Sequence, residues 1–242
     1  MEKHGHAFSY PWKIFDTKVV RLFQGEMMGR ILLVLQVLFL VIAAVSVQAG
    51  ELAISHFSTE GLAGWESEVF EGLTDYSLVK ENGSTVVKAH SRTAASGLIK
   101  KINLAPRRFR YLKWSWKVAG IIPNGDERTK AGDDYAARVY VVFPGRFFWQ
   151  TKAINYIWAN RLPRGASIPN AYTGNARMVA VESGNARVGQ WISEERDILA
   201  DYRRLFGEEP RQIGAIAIMT DTDNTGAEAI AWYGEITIST DR

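Results

Sequence analysis

From residue 50 onward, apolar and polar positions alternate with a period of two, and turn residues break the alternation every eight to fifteen positions or so. A period of two is the mark of strands with one face buried, and many short strands between turns predict a sandwich or barrel. Arg110–Val118 (RYLKWSWKV) is the clearest stretch: Leu112, Trp114, Trp116 and Val118 fall on one face, Tyr111, Lys113, Ser115 and Lys117 on the other. Ala136–Phe143 (AARVYVVF) is rich in β-branched and aromatic residues and is closed by Pro144-Gly145, a turn pair. Further predicted strands are Leu52–Phe57, Tyr76–Lys80, Thr85–His90, Gly97–Leu104, Ala153–Trp158, Arg177–Glu182, Ile213–Thr220 and Ala229–Ile238. Helical spacing is confined to Ile198–Phe206, where Ile198, Leu199, Tyr202, Leu205 and Phe206 share a side and Gly207 supplies a stop. One short helix among so many strands predicts an all-β fold, a single antiparallel β-sandwich over residues 50–242. The weakly patterned stretches Gly120–Tyr135 and Ala159–Asn175 are its long loops, and loops of that length in a compact domain are usually functional or mobile.

Residues 1–49 read differently. Ile31 to Val47 is an apolar run preceded by Arg30 and followed by Gln48-Ala49-Gly50. A basic flank, an apolar stretch and small residues at Val47 and Ala49 predict a secretory signal cut before Gly50, with an upstream extension before Met27-Met28. The alternative is a retained inner-membrane anchor over residues 31–47, since the run approaches the length that spans a bilayer. Either way the sandwich is expected outside the cytoplasm, periplasmic or secreted.

Composition narrows the chemistry. The chain has no cysteine, which excludes thiol catalysis, disulfides and cysteine-held metal clusters. Its formal charge is +3, but residues 1–49 carry five of the 29 Lys and Arg and three of the 26 Asp and Glu, which leaves 24 against 23. So neutral a domain gives no electrostatic reason to expect nucleic acid, which needs a concentrated basic face to replace phosphate counterions. There is no G-x-S-x-G, and only His56 and His90 remain beyond the leader, so serine-hydrolase chemistry finds no support.

Three constellations could carry function. Asp221-Thr-Asp223-Asn224-Thr-Gly226 alternates oxygen side chains before a glycine, as calcium loops do; a structural calcium on Asp221, Asp223 and Asn224 is one reading, a hairpin turn the other. Asp126, Glu127, Asp133 and Asp134 crowd a loop with Arg128 and Lys130, which is either a carboxylate pair for polysaccharide hydrolysis or lyase chemistry or a solvated loop tied by local ion pairs. The third is aromatic and amide density between residues 140 and 177. Trp149, Trp158 and Tyr172, with Asn155, Asn170, Asn175, Arg138, Arg177, Asp133 and Asp134, are the groups that take the apolar face and the hydroxyls of a sugar ring. Tyr140, Tyr156 and Trp158 are equally candidates for the sandwich core. Arg138 and Asn155 stand inside apolar strands, where a polar side chain requires a partner.

Leu62-Ala63-Gly64-Trp65-Glu66, the run Asp126–Tyr135, Ala153–Trp158, Asn170–Arg177 and Met219–Gly226 together resemble a bacterial exported family, domain of unknown function three thousand and forty-seven. The resemblance implies an exported single-domain protein and brings no activity or catalytic residues with it. Gly64-Trp65-Glu66 and the stretch through Trp191, Asp201-Tyr202 and Phe206 also resemble galactose-binding-type jelly rolls, a fold that hosts carbohydrate-binding modules and assembly factors; folds do not fix function. The expected protein is a jelly-roll-like envelope binder of a glycan or other polar ligand. A jelly-roll polysaccharide hydrolase or lyase, and an envelope assembly protein, are the alternatives.

Overall fold

The computed structural model describes residues 50–242; the signal segment expected within residues 1–49 lies outside the described residues. In chain order the strands are β1 (Glu51–Ala53), β2 (Trp65–Glu71), β3 (Asp75–Glu81), β4 (Ser84–Arg92), β5 (Ala95–Leu104), β6 (Tyr111–Val118) and β7 (Tyr135–Phe143). After them come β8 (Lys152–Ala159), β9 (Ser167–Pro169), β10 (Ala176–Ser183), β11 (Ile192–Asp197), β12 (Ile213–Asp221), β13 (Glu228–Tyr233) and β14 (Thr237–Ser239), with helix α1 (Ile198–Phe206) between β11 and β12.

Two seven-stranded sheets face each other. In the second, the order is β2-β5-β12-β7-β8-β10-β9. In the first, β3 pairs β4, β4 pairs β13, and β1 pairs β14, while β13 and β14 follow one another along β6 and β11 also pairs β6. The predicted strand Ala229–Ile238 is therefore a strand broken at 234–236, where the Gly234 amide bonds the Ser115 carbonyl at 2.8 Å and a Cβ would collide with Ser115 Oγ. All pairings are antiparallel except β8 with β10. The chain leaves β8, forms β9 and only then returns as β10, so the sheet carries one parallel seam that alternation alone cannot reveal.

The core is where the period-two pattern put it. Leu112, Trp114, Trp116 and Val118 of β6 are all buried, and across the sandwich Trp114 stacks on Tyr156 (centroids 5.2 Å) while Trp116 meets Trp158 at 6.0 Å. Each such side chain contributes about 1.5–3 kcal/mol of burial. Helix α1 matches its expected bounds: Asp197 Oδ1 accepts from the Ala200 amide at 3.0 Å as N-cap, and Gly207 closes it in the left-handed region at φ 70°. Three strands escape the sequence pattern, namely β2, β9 and β11. The predicted first strand Leu52–Phe57 stops at Ala53, because the Ile54 and Ser55 amides both turn onto the Ile236 carbonyl.

Candidate functional site

Alternation builds the site on the outer face of the second sheet. Val139, Val141 and Phe143 of β7 and Ile154, Tyr156 and Trp158 of β8 enter the core, so Arg138, Tyr140 and Asn155 are sent to the opposite face. Register then makes them neighbours: Tyr140 pairs Asn155 across β7–β8, and Arg138 pairs Met219 across β7–β12. A second small core sits on this outer face, where Leu162 of the long loop packs with Tyr135, Ile157, Ala159, Met178 and Ala180, and Ala166 and Ile168 join them. That cluster seats the loop, and its continuation, Asn170 to Thr173, forms one wall of a cleft of about 510 Å³.

Arg138 is the buried centre of the cleft floor, only 5 % exposed. Its guanidinium forms a two-point ion pair with Asp221, with Nε to Oδ1 at 2.8 Å. Nη2 also donates to the Asp133 carbonyl at 3.0 Å, and the group lies 4.1 Å over the Tyr135 ring. The Asp133 carboxylate accepts from Tyr135 Oη at 2.8 Å and from Asn170 Nδ2 at 3.0 and 2.9 Å. Tyr172 spans the mouth: its hydroxyl donates to Asn224 Oδ1 at 2.5 Å. Asn155 is 2 % exposed; its Nδ2 reaches only the Met178 sulfur at 3.3 Å, and its Oδ1 has no partner. A buried acceptor without a donor costs about 1–3 kcal/mol, and Asn155 is among the residues that line the cleft.

The expected site thus divides. Arg138, Asn155, Asn170, Tyr172, Asp133, Asp221, Asp223 and Asn224 converge on one cleft. Trp158 does not join them. It is 0 % exposed, facing the other side of β8 with its indole N–H on the Gly184 carbonyl at 3.1 Å, so it is core. Trp149 is 59 % exposed and lies with Asn175 in a second cleft near Lys152 and Tyr202, where Asn175 Nδ2 donates to the Trp149 carbonyl at 2.8 Å. Arg177 sits apart beside α1, its guanidinium 5.6 Å over the Phe206 ring. Sequence reasoning missed Phe70 and Glu71, which line the cleft from the unpredicted strand β2, and treated Tyr140 as a core candidate although it lines the cleft. The sequence carries no clear signal for β2, since Trp65 alone of its residues is buried.

Two carboxylates of the acidic loop tie neighbouring loops together. Glu127 is fully buried and accepts from the backbone amides of Asn160, Arg161 (3.2 Å) and Leu162 (2.9 Å), stapling one long loop to the other. Asp134 accepts from the Asn224 amide at 3.2 Å and from both the amide and hydroxyl of Thr225 at 2.6 Å. The segment Asp221–Gly226 that it holds is not a hairpin turn, because β12 and β13 belong to different sheets; it carries the chain between them. Carboxylate oxygens of Asp134, Asp221 and Asp223 lie within 4.8 Å of one another, but those of Asp134 and Asp221 already accept from N–H and O–H donors, and the positive charge beside them is Arg138. Burial, and next the Asp134 charge, raise the Asp223 carboxyl above its ordinary range.

Residues 63–237 match the family described as "Protein of unknown function (DUF3047)". No curated protein matches the chain. Among solved structures, the chain is similar to a family 30 carbohydrate-binding module of a cellulosomal cellulase of Clostridium thermocellum (10% identity, 79% of this chain and 98% of that one, TM-score 0.44). It is also similar to a CBM29-2 mutant complexed with cellulohexaose (11%, 81% and 94%, TM-score 0.41). A third likeness is to the cleaved adhesin domain of a Lys-gingipain of Porphyromonas gingivalis (14%, 80% and 99%, TM-score 0.40). At these scores the function rests on the cleft's own residues.

Proposed function

The chain belongs to this family of unknown function, and from that premise we propose that it is a non-catalytic binder of a glycan, acting through the cleft on the outer face of the second sheet. The observation that carries the reading is the unpartnered Asn155 Oδ1 in a cleft walled by Tyr140, Tyr172 and Phe70. A saccharide hydroxyl is the donor such an acceptor lacks, and the aromatic walls suit the apolar face of a ring. The carboxylates of the acidic loop are engaged by backbone and side-chain donors, which favours binding over hydrolysis or elimination.

We place this activity in the cell envelope, after export through the segment at residues 31–49. N-terminal sequencing of protein recovered from expressing cells should read from Gly50; an intact leader on membrane-bound protein would replace secretion with anchoring. For the ligand, the test is calorimetric titration of the full chain with a panel of oligosaccharides, beside the Tyr172→Ala variant. The variant should keep its melting temperature and lose about tenfold or more in affinity, the equivalent of about 1.4 kcal/mol. A panel without a single binder would end the glycan reading.

The assembly-protein reading has one observation of its own. At the β7–β8 tip Phe147 stacks on Trp149 (4.8 Å), with Phe148 edge-on at 5.0 Å and 84 % exposed, and exposed aromatic clusters mark contact surfaces. If the tip is that surface, replacing Phe148 and Trp149 by Ser abolishes a co-purifying partner and leaves saccharide binding intact.

A further inference from the structure

The ionisable groups along the cleft are unbalanced. Glu71, Asp133, Asp221 and Asp223 line it against one cation, Arg138. That cation is not available to a ligand, because its guanidinium is buried, paired with Asp221, bonded to the Asp133 carbonyl and covered by Tyr135. Lys130, beside the cleft's Tyr172, is directed at that ring, 5.1 Å from its centroid. Among the described residues, neither Glu71 nor Asp223 forms an ion pair. The cleft therefore presents surplus negative charge, and the unpartnered Asn155 Oδ1 beside it requires a donor. Opposite charge steers and selects ligands, and like charge brought into such a cleft is strongly disfavoured.

Resting on the glycan reading, we propose that the cleft selects an amine-bearing saccharide, a hexosamine oligomer with free protonated amino groups, over neutral saccharides of the same linkage, and excludes uronates and phosphorylated or sulfated sugars. An ammonium group supplies both things the cleft lacks, a positive charge for Asp223 and Glu71 and N–H donors for Asn155. Its neighbouring ring carbons still meet Tyr140 and Tyr172.

The experiment titrates the full chain with four probes: a β-1,4-linked glucosamine hexamer, its fully N-acetylated counterpart, cellohexaose and an oligogalacturonide. The glucosamine oligomer should bind at least about tenfold more tightly than either neutral oligomer, and the galacturonide should not bind. The isosteric variants Asp223→Asn and Glu71→Gln, singly and together and checked for unchanged melting, should shrink the ratio of amine to neutral affinity, to about twofold or less in the double variant. Neutral oligomers that bind as well as the amine overturn the proposal and leave the glycan reading standing. A preference that persists undiminished in the double variant also overturns it, by assigning the selectivity to charge elsewhere. Binding of none of the four probes, nor of any other saccharide, removes both readings.

Discussion

Trp158 and Trp149 show how one residue type takes opposite roles nine positions apart. Trp158 occupies an inward position of β8 beside Trp116, so Trp158→Ala should cost about 3–5 kcal/mol, as for other buried large aromatics. Trp149→Ala, at an exposed tip, should change stability by no more than about 0.5 kcal/mol. Chemical denaturation of the two variants reads both values; a mild Trp158→Ala would place that indole outside the core. Glu194 carries a pH signature. Burial, and next the nearby Glu182, push its carboxyl up to about 7. The folded protein thus holds a proton that the unfolded chain releases near 4.5, so this residue's contribution to stability declines as pH rises between those values. Glu194→Gln should flatten that slope and, with allowance for partial exposure, stabilise the protein at pH 8 by about 1–2 kcal/mol. A variant whose melting profile keeps the wild-type slope from pH 5 to 8 would assign the titration to another group.

At the level of elements, the cleft depends on two loops that the sequence marks only by their lack of pattern. What fixes them is long-range: Glu127 receives amides 33 to 35 residues away, and Asp134 receives those of Asn224 and Thr225 at separations of 90 and 91. Such bonds have no local signature, so from sequence the mixed charges read most simply as a solvated loop tied by local ion pairs, with catalysis as the alternative, and the long-range partners stay hidden. The alternating oxygens from Asp221 to Gly226 pose the same ambiguity. With Arg138 already paired to Asp221, millimolar calcium should leave the melting temperature where chelator leaves it. Native-state binding would instead add about 2.7 kcal/mol at a hundred times the dissociation constant, and a rise of that size would install an ion among Asp134, Asp221 and Asp223.

For the whole molecule, the sandwich was legible because its central strands bury one face each, so Trp114, Trp116, Val139 and Val141 could be sorted in from out by parity alone. Helix α1 was legible for a different reason, as its periodicity and terminal glycine are local. Strand β2 was missed because most of its positions are exposed, and a strand buried on neither face has no clear alternation. Arg138 and Asn155 were recognisable as site residues by their polarity within apolar strands. Trp158 stood open between site and core because aromatic density does not say which face of a strand it occupies. We infer that a saccharide occupies the cleft formed by β7, β8 and the loop at Asn170–Thr173. A crystal structure of the full chain with the tightest oligosaccharide from the panel tests it most directly. A sugar ring should lie between Tyr140 and Tyr172 with a donor on Asn155 Oδ1; a sugar seated at the Phe147–Trp149 tip with the cleft empty would overturn the assignment.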